Sequence, residues 1–267
     1  MPGTMKRRFR KMHGLGNDFV IFDAREAPLE MDAVGVRALA DRRTGIGCDQ
    51  LIVLEPSEAA DLRMRIWNAD GSEVETCGNA SRCVAAILGG TSRIETAGGT
   101  LTASAEDGGA SVAMGKPRFA WDEIPLAYPM DTERMPVGWD ELKEPAAVNV
   151  GNPHVIFFVD DTRSVPLDHL GPAIETDPLF PERVNVNVAS IEEGTIRLRV
   201  WERGAGLTQA CGTGACAPAV AAIRRKLVQS PIVVRLPGGA LTIAWKPGGE
   251  IVMKGAATSV FEGEVEL

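Results

Sequence analysis

Residues 197–227 read RLRVWERGAGLTQACGTGACAPAVAAIRRKL, and this stretch decides the fold. Its first residues alternate like a β-strand that ends at Trp201, and a glycine-rich turn follows. The run of small and apolar residues at 215–223 predicts a helix that is buried on all sides. Cys211 is therefore expected at the start of a buried helix, where free N–H groups and the helix dipole favour a thiolate or a bound carboxylate.

The same stretch occurs twice in the chain. The matching segments are RMRIWN (63–68) with RLRVWE (197–202), CGN (77–79) with CGT (211–213), and GNDFVIF (16–22) with GNPHVIF (151–157). The offset between the copies is 134 or 135 residues, which makes Asn185 the counterpart of Gln50. Self-similarity at one offset predicts two copies of one unit, related by a pseudo-twofold axis that turns Cys77 and Cys211 towards each other across a cleft.

Length and composition indicate a globular chain with two modest domains. The 267 residues are 45% hydrophobic and 24% charged, and a net charge of −8 argues against nucleic acid as a partner. We expect no membrane partner, because no apolar run approaches the length of a membrane span. The basic residues 1–14, expected to be a frayed lead-in to the first strand, precede no apolar signal segment. With five cysteines, an odd number, we expect no disulfide framework and a cytoplasmic location.

The expected domains are residues 1–120, which carry Cys77, and residues 121–267, which carry Cys211. A proline-rich and acidic segment at 120–146 is expected to connect them. The pattern predicts helices at 31–43 and 78–88, the second stopped by two glycines. The last strand is a candidate to cross back and pair with the first half.

Two thiols that face one carbon suit the removal of a proton from one face and its delivery to the other, which inverts the centre. Zinc is disfavoured, because the cysteine spacings are wrong and the chain has only three histidines. A redox dithiol remains an alternative, although the sequence lacks the C-x-x-C motif that is typical of such sites. Papain-like catalysis could use His154 as its base, but it does not explain a duplicated cysteine. No pyridoxal-lysine signature is visible, so we expect no cofactor and no metal.

The segments HGLGNDF, NADGSEVETCGNASRC, GNPH, PERVN and ERGAGLTQACGTGAC together resemble the signature blocks of diaminopimelate epimerases, over the whole chain and in order. The resemblance implies an α+β fold of two pseudo-symmetric halves, each a mixed β-sheet or barrel wrapped around a central buried helix. It also implies a pyridoxal-independent enzyme that interconverts LL- and meso-2,6-diaminopimelate, a small-molecule substrate, and a homodimer.

The resemblance assigns site residues as well. It makes Cys77 and Cys211 the catalytic pair of thiolate and thiol. The residues that it places at the substrate are Asn17, Gln50, Asn68, Gly78, Asn79, Asn152, Asn185, Glu202, Arg203, Gly212 and Thr213. Of these, Arg203 suits the distant carboxylate and Glu202 the distant ammonium, while His154 and Glu202 are candidates for tuning the thiol pKa values.

This sequence departs from the family pattern at three positions: Ala80, Leu207 and Pro218 stand where glycine, glutamate and alanine are usual. A racemase of another amino acid, of the histidine or proline type, is the alternative on the same fold. Such an enzyme would keep both cysteines without needing Glu202 and Arg203. A thiol redox or ligand-binding protein without turnover is the third hypothesis.

Overall fold

The computed structural model describes residues 6–267, which form two compact units. The first unit contains the described residues up to Val112 together with Gly255–Leu267. The second unit contains Ala113–Lys254. Within residues 6–267, no helix combines the length and the apolar character that a membrane crossing needs.

The first unit is a mixed sheet that packs on one helix. Its elements are β1 (Lys6–Gly14), β2 (Asn17–Asp23), α1 (Ala33–Ala40), β3 (Gln50–Glu55), β4 (Leu62–Asn68), β5 (Glu73–Val74), α2 (Gly78–Leu88), β6 (Thr91–Thr96), β7 (Gly99–Glu106), β8 (Gly109–Ala113) and, from the C-terminus, β19 (Thr258–Glu266). Strand pairing runs β19–β1–β2–β3–β4–β6–β7–β8, and β5 pairs with the end of β4. The pairs β2–β3 and β4–β6 are parallel and the others are antiparallel.

The second unit repeats this order. Its elements are β9 (Gly138–Trp139), β10 (Leu142–Lys143), β11 (Ala146–Asn149), β12 (Pro153–Phe158), a 3₁₀ turn (Thr162–Ser164), α3 (Leu167–Glu175), β13 (Asn185–Glu192), β14 (Thr195–Glu202), β15 (Gly206–Thr208), α4 (Gly212–Arg224), β16 (Ile232–Leu236), β17 (Gly239–Ala244) and β18 (Val252–Ala256). Pairing runs β11–β12–β13–β14–β16–β17, with β15 on the end of β14. The parallel pairs are β12–β13 and β14–β16, the counterparts of the parallel pairs in the first unit.

The strand register follows the sequence repeat. Phe19 lies opposite Gln50 in the first unit, and His154 lies opposite Asn185 in the second, each 135 residues later. One helix per unit is central: α2 packs against β1, β6 and β7, and α4 packs against β11, β12, β13, β14, β16 and β17. The predicted fold class, α+β with a mixed sheet around a buried helix in each half, is thus confirmed.

Several local predictions differ from the structure. The basic lead-in is part of β1 from Lys6 onwards, and its first five residues lie outside the described part of the chain. Helix α1 is shorter than expected, because the Asp32 side chain caps its start and the backbone of Asp41 is already extended. The segment at 120–146 belongs to the second unit, where Ile124 and Met135 join the hydrophobic core.

Candidate active site

Cys77 is the residue that precedes α2, with an extended backbone, and its side chain makes no capping hydrogen bond. It is partly exposed, and its Sγ lies 3.9 Å from Asn17 Oδ1, in the geometry of a thiol that donates. The first N–H groups of a helix lack partners within the helix, which makes Gly78 and Asn79 backbone donors beside this sulfur. A helix start, a thiol and an amide oxygen therefore meet at one point of the first unit.

The Asn17 amide has a fixed orientation. Its Nδ2 donates to Asp49 Oδ2 at 3.1 Å, and because a carboxylate only accepts, the oxygen of Asn17 must face the other way. That oxygen accepts from Asn79 Nδ2 at 3.2 Å. Asp49 is itself held by Arg42, at 2.7 Å. Asp49 thus turns the Asn17 oxygen towards Cys77.

A buried arginine fixes the orientation of Asn79, at the other end of this series of hydrogen bonds. Arg82 is fully buried in α2, and its Nη2 donates to Asn79 Oδ1 at 2.9 Å. Its Nε donates to the Ala256 carbonyl at 3.3 Å. Since a guanidinium only donates, the nitrogen of Asn79 is left to face Asn17.

Gln50 and Asn68 lie on the neighbouring strands β3 and β4. Gln50 Nε2 donates to Asn68 Oδ1 at 3.0 Å, and Asn68 Nδ2 donates to Ser72 Oγ at 3.1 Å. Gln50 Oε1 is buried and has no hydrogen-bond partner in residues 6–267. An unpaired buried oxygen is costly, which favours an external donor such as a ligand at this position.

Cys211 occupies the equivalent place in the second unit but is buried. Its Sγ accepts from Gly214 N at 3.2 Å, so that the sulfur caps α4, and it lies 3.6 Å from Thr213 Oγ1. Burial and, next, the negative charge of Glu202 hold the pKa of Cys211 well above its ordinary value, although these two hydrogen bonds lower it. The helix start thus lowers the pKa of Cys211 as expected, but burial and Glu202 outweigh it and favour the thiol.

Hydrogen bonds from buried residues hold the turn at the end of β14, where Glu202 and Arg203 lie. Asn185 Oδ1 accepts from Arg203 N at 3.0 Å, and Asn185 Nδ2 donates to the Pro153 carbonyl at 2.9 Å. Glu175, a buried carboxylate at the end of α3, accepts from Gly204 N at 3.0 Å. Asn185 is thus buried beneath the loop, while the Arg203 side chain is exposed and donates to the Glu182 carbonyl at 2.9 Å.

His154 is fully buried on β12, and burial, above all, lowers its pKa to about 3. Its two ring nitrogens lie 2.9 Å from Asn152 Oδ1 and 3.1 Å from Asn187 Nδ2. It is therefore a neutral imidazole at physiological pH. The role of tuning a thiol pKa stays a prediction for His154, whereas the effect of Glu202 on Cys211 has a direct electrostatic cause.

The other three cysteines are core residues. Cys48, Cys83 and Cys216 are free thiols, and all three are buried. Burial raises the pKa of Cys48 to about 11 and that of Cys83 to about 12, so both are inert thiols. In the described part of the chain, no group of three or more histidine, cysteine or carboxylate side chains is placed to hold a metal ion.

The departures from the family pattern are accommodated locally. Ala80 is buried in the first turn of α2, and Leu207 is exposed on β15. Pro218 lies in the buried interior of α4, further from the helix start than proline usually is.

Within the first unit, the predicted residues Asn17, Asn79 and Cys77 are in mutual contact, and Gln50 contacts Asn68. Within the second unit, Asn185 joins Arg203, and Asn152 joins His154. Sequence reasoning missed the residues that hold these side chains: Asp49, Arg82, Glu175 and Asn187. Two of them carry a signal, because Arg82 is a charge inside an apolar helix and Asn187 replaces Ile52 of the first copy.

Comparison with known proteins agrees with this geometry. The family profile described as diaminopimelate epimerase matches residues 9–120 and 146–260. Proteins named diaminopimelate epimerase are 66% identical in Rhizorhabdus wittichii, over 98% of this chain and 97% of that protein, and 66% identical in Sphingopyxis alaskensis, over 98% of each. A phenazine biosynthesis protein of the PhzF family from Enterococcus faecalis shares the fold, with a TM-score of 0.72 and 14% identity over 98% of this chain and 100% of that one. The chain belongs to the diaminopimelate epimerase family.

Proposed function

We propose that this protein is a pyridoxal-independent epimerase that interconverts LL- and meso-2,6-diaminopimelate, in the biosynthesis of lysine and peptidoglycan. The observation that carries the proposal is a cysteine at the start of the central helix in each of two units of one topology, Cys77 before α2 and Cys211 before α4. A nucleophilic role needs only one thiol, and a redox dithiol would give no purpose to the asparagine loops that are duplicated with the cysteines.

The reaction is a proton transfer between two bases. One cysteine, as the thiolate, takes the proton from the substrate Cα, and the electron pair of the broken C–H bond delocalises into the α-carboxylate. The other cysteine, as the thiol, delivers its proton to the opposite face, which inverts the centre and leaves a thiolate. Backbone N–H groups of Gly78, Asn79, Gly212 and Thr213 stabilise the charge that develops on the carboxylate.

Protonated Cys211 suits the role of proton donor in the direction of the reaction in which Cys77 is the thiolate. The charge of Glu202 disfavours the Cys211 thiolate, so a substrate ammonium that neutralises Glu202 would lower the pKa of this thiol. In the same scheme Arg203 takes the distant carboxylate. Asn17, Gln50, Asn68 and Asn152 complete the substrate contacts, and the buried Asn185 acts on the substrate through Arg203, whose backbone it holds.

The test is hydrogen exchange in D2O with reduced protein. We expect meso-diaminopimelate to gain deuterium at Cα while it converts to the LL isomer, and neither Cys77→Ala nor Cys211→Ala to invert the centre. Cys48→Ala is the matched control, because it removes a buried thiol outside the proposed site and should leave epimerisation intact. Full epimerase activity in either single variant would end the two-base scheme.

The substrate is tested in the same assay with histidine and proline in place of diaminopimelate. Arg203→Met should raise the KM for diaminopimelate about tenfold or more, since a charged hydrogen bond is lost, and should spare any turnover of substrates without a distant carboxylate. Turnover of histidine or proline, with diaminopimelate inert, would instead identify a racemase of that type.

We also propose a cytoplasmic homodimer. The dimer rests on the family resemblance and on two large apolar side chains that β19 exposes, Val260 and Phe261. A monomeric mass in solution at micromolar concentration would contradict it.

A further inference from the structure

The two units differ at a pair of buried positions. His154 and Asn187, both fully buried, lie on the parallel strands β12 and β13. Their counterparts on β2 and β3, 135 residues earlier, are Phe19 and Ile52, which are equally buried. The fold therefore accommodates two apolar side chains at these positions. Because burying polar groups is unfavourable unless they are paired, the polar pair in the second unit requires a reason other than packing.

The orientation of the Asn187 amide follows from its neighbours. Its Nδ2 lies 3.0 Å from the Val155 carbonyl oxygen and 3.3 Å from the Asn185 carbonyl oxygen. Carbonyl oxygens only accept, so the atom that faces them is the nitrogen. The same nitrogen lies 3.1 Å from His154 Nδ1. The two amide hydrogens are shared among these three acceptors, and a proton on the ring nitrogen would point at them, so Nδ1 accepts and carries no proton.

The protonation of His154 then decides the orientation of the next residue. A neutral imidazole without a proton on Nδ1 carries it on Nε2. Nε2 lies 2.9 Å from Asn152 Oδ1 and donates to it. The half-buried Asn152 thus has its oxygen occupied from inside the protein, and its NH2 group forms no hydrogen bond within residues 6–267.

We propose that Asn187 and His154 are positioning residues, which turn Asn152 so that its two N–H donors, and not its oxygen, face the substrate. Asn152 then recognises an acceptor, which in an amino acid substrate is a carboxylate. The inference rests on the proposed function, because it takes Asn152 to contact the substrate. In this arrangement both ring nitrogens of His154 are engaged, and the ring acts through Asn152.

The first test measures the ring nitrogens directly, in wild-type protein labelled with ¹⁵N-histidine. The His154 signals are those that disappear in His154→Phe, which introduces the residue of the first unit. We expect Nε2 to carry the proton and Nδ1 to be bare at pH 7. A proton on Nδ1, or a charged ring at pH 7, would overturn the proposal whatever the kinetics of the Asn187 and Asn152 variants.

The second test is a double-mutant cycle with diaminopimelate as substrate. Asn187→Ile, again the residue of the first unit, should raise KM about tenfold and change kcat less, because Asn152 becomes free to flip. If Asn187 acts through Asn152, the double variant with Asn152→Ala is no worse than Asn152→Ala alone. Ser190→Ala is the control, as a buried polar residue on the same strand, and should keep the wild-type KM.

The outcomes separate the two levels of inference. Additive losses in the cycle, or an Asn187→Ile variant with wild-type KM, would overturn the positioning role while the enzyme still turns over diaminopimelate. Wild-type protein that does not turn over diaminopimelate would refute the proposed function, and the nitrogen spectra would still decide the orientation of the relay.

Discussion

Replacing Arg82 with methionine should destabilise the first unit, because the guanidinium donates to a buried amide oxygen, that of Asn79, and to a part-buried backbone carbonyl, that of Ala256. Its Nη2 lies 2.9 Å from Asn79 Oδ1 and its Nε lies 3.3 Å from the Ala256 carbonyl. Methionine keeps most of the volume but leaves the buried Asn79 oxygen without this donor, at about 1–3 kcal/mol, and removes the hydrogen bond to the Ala256 carbonyl, which contributes about 1 kcal/mol more. The removal of a buried charge offsets part of that loss. We therefore expect the free energy of unfolding to fall by about 2–4 kcal/mol.

The measurement is the midpoint of urea unfolding, at an unchanged slope. Arg82→Lys should lie between wild type and methionine, because an ammonium keeps the charge and loses the fork that reaches both oxygens. Arg63→Met, at an exposed position on β4, is the matched control and should change stability by less than about 0.5 kcal/mol. If Arg82→Met also loses less than about 0.5 kcal/mol of stability, the reasoning is refuted, because the cost of burying the charge would then equal the stabilisation from its hydrogen bonds.

Three further predictions concern other positions. Glu202→Gln should lower the pKa of Cys211, because it removes a negative charge that raises it, and a leftward shift of the pH profile of Cys211 alkylation would show this. The pKa of Asp18 is held well below its usual range, because hydrogen bonds from Arg42 and Lys11 outweigh the effect of burial. The stability that this carboxylate contributes is therefore complete above about pH 4 and is lost as the pH falls towards the lowered pKa. Asp18→Asn should accordingly make the free energy of unfolding depend less on pH in the acid range. Gly45→Ala should cost about 1–3 kcal/mol or more in thermal unfolding, because the new Cβ would lie 2.2 Å from the Ala38 carbonyl oxygen, and an unchanged Tm would contradict the contact.

Periodicity and internal repetition were sufficient to predict the scaffold. Helix α2 runs from Gly78 to Leu88, as the pattern of apolar residues and the stop at Gly89 predict. The fixed offset between the copies predicts one topology for both units, and strand pairing confirms it. These features depend on local sequence and on one comparison of the chain with itself, so a single sequence contains them.

The supporting contacts were harder to predict, because each joins residues that are distant in the chain. Glu175 reaches Gly204 from another element, and no pattern in the sequence marks it. The direction of the Cys211 pKa shift could not be predicted from the sequence either. A helix start favours a thiolate, but burial and a neighbouring carboxylate decide the pKa, and both are tertiary properties.

The duplicated scaffold holds two equivalent asparagines with opposite polarity. In the first unit Asp49 accepts from Asn17 and turns its oxygen towards the thiol of Cys77. In the second unit the histidine on β12 donates to Asn152 and leaves its N–H groups outward. An amino acid carries an ammonium and a carboxylate on the carbon to be inverted, so its binding requires acceptors and donors together. Under the proposed function, two copies of one strand pair would meet that requirement through the residues behind each asparagine, an acid in one copy and a neutral imidazole in the other.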